Sequence, residues 1–124
     1  DLEYTNNLVV RKEVILDMLD RSTILTSNKM SDTAILKMLI VNGELRLESR
    51  EIEIGYANTK TTRFTFDSEN PFAVSFNPRF LSEAIKTLDT KRVRMEFLNP
   101  NMPILITAKD SKSIETIVLP FKTN

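Results

Sequence analysis

The chain has 124 residues, with 17 Lys and Arg balanced by 17 Asp and Glu, and neither His nor Cys. That length suits one domain around a single core, and the missing His and Cys exclude disulfides, thiolate nucleophiles, Cys/His zinc sites and every Ser-His-Asp or Cys-His arrangement. A net charge of zero also argues against a tight, sequence-specific nucleic-acid binder, which shows a strong basic excess.

No run reaches the ~18–20 apolar residues that a membrane-spanning helix requires. The first residue is Asp1 rather than Met, so the sequence is read as a segment of a longer protein.

The first periodic segment spans residues 10–21. Val14, Ile15, Met18 and Leu19 recur at helical spacing, with Lys12, Glu13, Asp17 and Asp20 opposite them, and predict an amphipathic helix. Ser22-Thr23 then leads into Ile24-Leu25. Residues 34–41 form a nearly continuous apolar run that reads as a buried strand. Asn42-Gly43 follows at once, the pair best suited to the positive φ values of a type I′ hairpin turn.

Beyond the turn, Leu45 and Leu47 alternate with Glu44, Arg46 and Glu48. Ile52, Ile54 and Tyr56 then alternate with Glu51 and Glu53. Residues 63–66 and 72–76 are further strand candidates on either side of a turn-rich stretch. Asn77-Pro78 opens a second helix, because Asn caps free amides and Pro suits a first turn whose N–H has no helical partner. Phe80, Leu81, Ala84, Ile85 and Leu88 make its apolar face. Val93, Met95 and Phe97 predict the next strand, and residues 104–106 and 114–121 the last two.

An internal repeat runs through these elements. Val10-x-x-x-Val14-Ile15-x-Asp17-x-Leu19 parallels Phe76-x-x-x-Phe80-Leu81-x-Glu83-x-Ile85 after a shift of 66 residues. The expected architecture is α+β, two strand-helix-strands units whose helices share one side of antiparallel sheet.

The second helix carries a resemblance. Phe76-Asn77-Pro78-Arg79-Phe80-Leu81-Ser82-Glu83-Ala84-Ile85-Lys86-Thr87-Leu88 resembles the second helix of the third domain of bacterial DNA sliding clamps, the beta subunits of DNA polymerase III. Those proteins carry Phe-Asn-x-x-Tyr/Phe-Leu-x-Asp/Glu-Ala-Leu/Ile-Lys-x-Leu there. Ser22-Thr23-Ile24-Leu25-Thr26 is similar to the family's Ile-Leu segment after the first helix. Ile117-Val118-Leu119-Pro120-Phe121-Lys122 is similar to its terminal strand, which usually closes as apolar-Pro-apolar-Arg. Two departures stand out: Lys122 replaces the planar fork of Arg, and Phe121 is bulkier than the usual Met or Val.

The resemblance implies a clamp-type domain spanning residues 1–124, the C-terminal one of three in a subunit. Two such subunits close head-to-tail into a homodimer ring around duplex DNA. The ring is not an enzyme and needs no cofactor or metal. It holds DNA loosely, without sequence preference, and tethers the DNA polymerase III catalytic subunit, the clamp loader and other partners. The expected location is the cytoplasm, at the nucleoid, with no membrane contact.

Three sets of site residues follow from the resemblance. A partner-peptide pocket takes Ile117, Leu119, Pro120, Phe121 and Lys122, with Asn77, Phe80 and Pro103 nearby; Ile117 and Leu119 also read as core residues of an edge strand. Ring closure takes Ile24, Leu25, Glu51 and Glu53, which equally suit a local apolar plug and two solvated carboxylates. DNA contact takes Arg79, Ser82 and Lys86 on the polar side of the second helix. The alternative from another class is a stand-alone protein-interaction domain without DNA. A hydrolase or transferase is disfavoured by the missing His, glycine-rich phosphate loop and Gly-x-Ser-x-Gly elbow.

Overall fold

A computed structural model describes residues 6–24, 35–51, 55–109 and 115–121. The chain runs β1 (Asn6–Arg11), α1 (Lys12–Ile24), β2 (Leu36–Val41), β3 (Glu44–Glu51), β4 (Gly55–Thr61) and β5 (Phe64–Phe66). The same order then recurs as β6 (Phe72–Phe76), α2 (Pro78–Lys86), β7 (Arg92–Phe97), β8 (Ile104–Ala108), β9 (Glu115–Val118) and β10 (Pro120–Phe121). Asn6 to Phe72 and Lys12 to Pro78 are both steps of 66 residues, so the repeat seen in sequence is a repeat of structure.

The strands form two antiparallel five-stranded sheets, ordered β5-β1-β7-β8-β9 and β10-β6-β2-β3-β4, so the architecture is the α+β one expected, two helices on antiparallel sheets. The halves exchange their first and last strands, β1 and β5 for β6 and β10. β1 pairs with β7 of the second half, Leu8 opposite Met95, and β6 pairs with β2 of the first, Val74 opposite Met38.

Alternation decides which side faces in. Leu8 and Val10, Leu36 and Met38, Leu45 and Leu47, Val93 and Met95, and Ile104 and Ile106 are all buried. Ile15, Met18 and Leu19 of α1, and Leu81 and Ile85 of α2, complete the same core. α1 packs on β3 and β4, α2 packs on β9, and the helices touch each other. Thr59 on β4 ties α1 down: its hydroxyl lies 3.0 Å from that of buried Ser22 and donates to the Met18 carbonyl at 3.4 Å.

The first helix starts later than its periodicity predicts. Val10 and Arg11 belong to β1, where Val10 pairs with both Phe64 and Val93. Pairing on both sides satisfies more backbone groups than an extra helical turn could. α1 therefore begins at Lys12, whose amide donates to the Lys91 carbonyl at 2.8 Å and whose Nζ donates to the Leu88 carbonyl at 2.6 Å. Asn42 (φ 53°) and Gly43 (φ 75°) make the predicted turn between the paired Val41 and Glu44. Of the strand predicted around Ile52, residues 52–54 lie outside the described residues; β3 ends at Glu51, opposite Gly55 at the start of β4.

Candidate partner-binding surface

The last predicted strand is two strands. β9 pairs with β8 in one sheet, Leu119 is unpaired, and β10 pairs with β6 in the other. The C-terminal segment thus crosses from sheet to sheet at Leu119. Within β9, Val118 opposite Ile104 is 4% exposed, whereas Ile117 opposite Leu105 is 60% exposed. Leu119 is 69% exposed. Neither apolar side chain is a core residue of this chain.

The crossing lies beside the start of α2. Phe76 pairs with Pro120 on one side and Leu36 on the other. Continuing both registers by one residue sets Leu119 and Ile35 on either side of Asn77. Continuing the Ile104–Val118 pairing by one residue sets Pro103 next to Leu119. These registers put Asn77, Pro103, Leu119 and Pro120 at the same end of the two sheets, with the backbone of Phe121 held opposite Ser75. Lys122 lies outside the described residues.

Asn77 shapes this end. It is 2% exposed, and its Oδ1 accepts from the amides of Arg79 (2.8 Å) and Phe80 (3.4 Å), capping the helix that Pro78 begins. The cap fixes the first turn and presents Phe80, 44% exposed, toward solvent. The Arg79 guanidinium lies over the Phe80 ring, 5.5 Å from its centroid, and its Nε is 3.8 Å from Glu83 Oε2. Phe80, Ile117 and Leu119, with Ile35 (51% exposed), are the large exposed hydrophobics among the described residues. Ile35 escapes sequence reasoning because it sits in an apolar run that reads as wholly buried.

The DNA-facing expectation needs one correction. Ser82 is 2% exposed. It falls four residues after Pro78 and three before Ile85, both buried, so it lies on the stripe that packs inward, with Lys86 one turn on at the exposed margin of that stripe. Contact with α1 as well as β9 widens the buried stripe of α2 beyond its purely apolar positions. Lys86 is exposed. On α1, Lys12 is committed to the Leu88 carbonyl and Arg21 pairs with Asp17 at 3.1 Å.

Of the ring-closure set, Ile24 ends α1 and Glu51 ends β3, while Leu25 and Glu53 lie outside the described residues. Among the described residues, no three His, Cys, Asp or Glu side chains gather as a metal site, and no helix is long and apolar enough to cross a membrane.

Comparison with known proteins gives one consistent picture. The chain is 26% identical over 118 residues to the beta sliding clamp of Mycoplasma capricolum, covering 95% of this chain and 31% of that protein. It is 24% identical to the beta sliding clamp of Lactococcus lactis, covering 100% of this chain and 32% of the relative. The chain thus spans about a third of the length of these relatives. In structure it resembles the DNA polymerase beta subunit of Streptococcus pyogenes with a TM-score of 0.87 at 19% identity, over 99% of this chain and 33% of that one. The DNA polymerase III subunit beta of Pseudomonas aeruginosa gives a TM-score of 0.86 at 17% identity, over 98% of this chain and 32% of that one. The sequence profile described as DNA polymerase III beta subunit, C-terminal domain, matches residues 2–122, and the chain belongs to that family.

Proposed function

We propose that this chain is the C-terminal domain of a three-domain sliding clamp subunit, and that it carries the site where replication partners dock. The clamp is a non-catalytic homodimer ring that encloses duplex DNA in the cytoplasm. The DNA polymerase III catalytic subunit, the clamp loader and other peptide-bearing partners use the surface around Asn77, Phe80, Pro103, Ile117, Leu119, Pro120, Phe121 and Lys122. The observation that carries this reading is the exposure of Phe80, Ile117 and Leu119 around a buried, capped helix start. Large apolar side chains left in water beside a rigid element are what a peptide's own apolar side chains seek.

Ring closure falls to Ile24, Leu25, Glu51 and Glu53, at the ends of α1 and β3 and in the segments that follow. DNA contact falls mainly to Lys86. A zero net charge suits a protein that holds DNA by encircling it, since phosphate attraction then need only be loose. A stand-alone interaction domain is less well supported, because the relatives named above are beta sliding clamps.

The test is an NMR titration with a short peptide containing Gln, Leu and Phe. Shifts are expected at Asn77, Phe80 and residues 117–122, and Leu119→Ala should reduce them. Shifts centred on the Asn42-Gly43 turn, or none at saturating peptide, would sink the assignment.

A further inference from the structure

We infer that Arg79 serves the partner site rather than DNA, as the residue that holds the Phe80 ring in position for an apolar peptide side chain; this rests on the partner-site reading proposed above. By charge and helical spacing Arg79 looks like a partner of Lys86 in phosphate contact. Its geometry points elsewhere. Successive helical residues diverge, so side chains at adjacent positions do not ordinarily meet. Here the guanidinium nevertheless lies 5.5 Å from the centroid of the neighbouring Phe80 ring. A planar cation over an aromatic face is drawn there by the ring quadrupole.

Glu83, one turn on, has Oε2 3.8 Å from Arg79 Nε, an i,i+4 ion pair that also favours this placement of the guanidinium. That carboxylate also offsets the charge that a phosphate would feel. Reaching for DNA would break both contacts. The ring is still 44% exposed, so an arriving peptide can use the surface that the guanidinium leaves open. It meets a ring already limited in its rotamers, which lowers the ordering cost of binding.

The test uses the full-length protein and two readouts. Anisotropy of a labelled peptide containing Gln, Leu and Phe reports the partner site. Affinity for a labelled duplex across a salt series reports phosphate contacts. Arg79→Gln is expected to weaken the peptide about two- to five-fold, the range of one exposed cation–π contact, and to leave the duplex salt slope unchanged. Lys86→Gln should do the reverse, making the slope shallower by about one with peptide binding intact. Arg79→Lys keeps a cation able to sit over the ring and should fall between wild type and Arg79→Gln; a Lys variant no tighter than the Gln variant overturns the inference.

Leu119→Ala separates the two ideas. If it weakens the peptide while Arg79→Gln does not, the inference about Arg79 fails and the partner site stands. If neither variant weakens it, the partner-site reading itself fails. A shallower salt slope in Arg79→Gln returns the residue to DNA and also overturns the inference.

Discussion

The ring of Phe72 lies 4.8 Å from the ring of Phe97, centroid to centroid, tilted by 42°. Phe72 opens β6 and Phe97 closes β7, so the contact joins two different sheets. Phe66 extends it, 6.4 Å from Phe72. Tilted pairs at this spacing contribute beyond simple area burial. Phe97 is 1% exposed, and Phe97→Ala is expected to cost about 3–5 kcal/mol in urea unfolding. Combined with Phe72→Ala, a double-mutant cycle should return a coupling of roughly 0.5–1.5 kcal/mol. Strict additivity would mean that the rings do not act together.

Asn77→Ala is expected to destabilise the chain by about 0.5–2 kcal/mol, because two amides lose their acceptor. Asn77→Asp retains a capping oxygen and should recover most of that loss. Denaturant midpoints of the three proteins check the order. The alanine variant should also bind the Gln-Leu-Phe peptide less tightly, since Phe80 loses its fixed first turn.

At the hairpin, Gly43 sits at φ 75° and a Cβ added there would meet nothing within 4 Å. Any penalty is therefore backbone conformation rather than crowding. Gly43→Ala should cost roughly 1–2 kcal/mol, and Gly43→Asn less, because Asn tolerates the left-handed region. Equal stability of the Gly and Ala proteins would show that the turn adopts another conformation.

The carboxyl of Glu44 is held below its ordinary range, first by its hydrogen bond from Arg46, which outweighs the opposing effect of desolvation, and then by the charge of Lys60. A depressed carboxyl contributes stability above its unfolded pKa and loses that contribution as pH falls through its folded value. Glu44→Gln should therefore be less stable than wild type near neutrality, with the difference closing on the acid side of the usual carboxylate range. Unfolding midpoints across a pH series check it, and a gap that widens with acid contradicts the pairing.

Ring closure has its own test. In the full-length protein, Ile24→Ala combined with Leu25→Ala should split the dimer, each truncation removing about 2–5 kcal/mol where the side chain is buried at the interface. Sedimentation at micromolar concentration reads the result. An unchanged dimer removes both residues from the interface.

Much of the fold is legible because its signals are local. Asn77-Pro78 announces a cap, Asn42-Gly43 a turn, and the alternation in Arg92–Phe97 a strand, each within a few residues. The shift of 66 residues that links the two halves is also visible without coordinates. The exchange of β1 and β6 is not, because pairing of Leu8 with Met95 depends on residues far apart and leaves no local trace. The break at Leu119 is hidden for a similar reason: residues 117–121 read as one extended run until two sheets compete for its ends. Ser82 misleads because a polar residue signals solvent in sequence, whereas a helix flanked by another helix buries more than its apolar stripe.

The exchange of first strands also sets an order of events during synthesis. Asn6 finds its β7 partner at Phe97, 91 residues later, so β1 leaves the ribosome long before the strand that completes its sheet. Until then Leu8 and Val10 have only β5 beside them, and the first half cannot close as an independent unit. Pairings of such long range make folding slow, and the exposed strand edge is open to unwanted association while it waits. The same interlock works in reverse once the chain is whole. Neither half can peel away without opening both sheets, so unfolding should be one cooperative step, although the sequence is built from two copies of one motif.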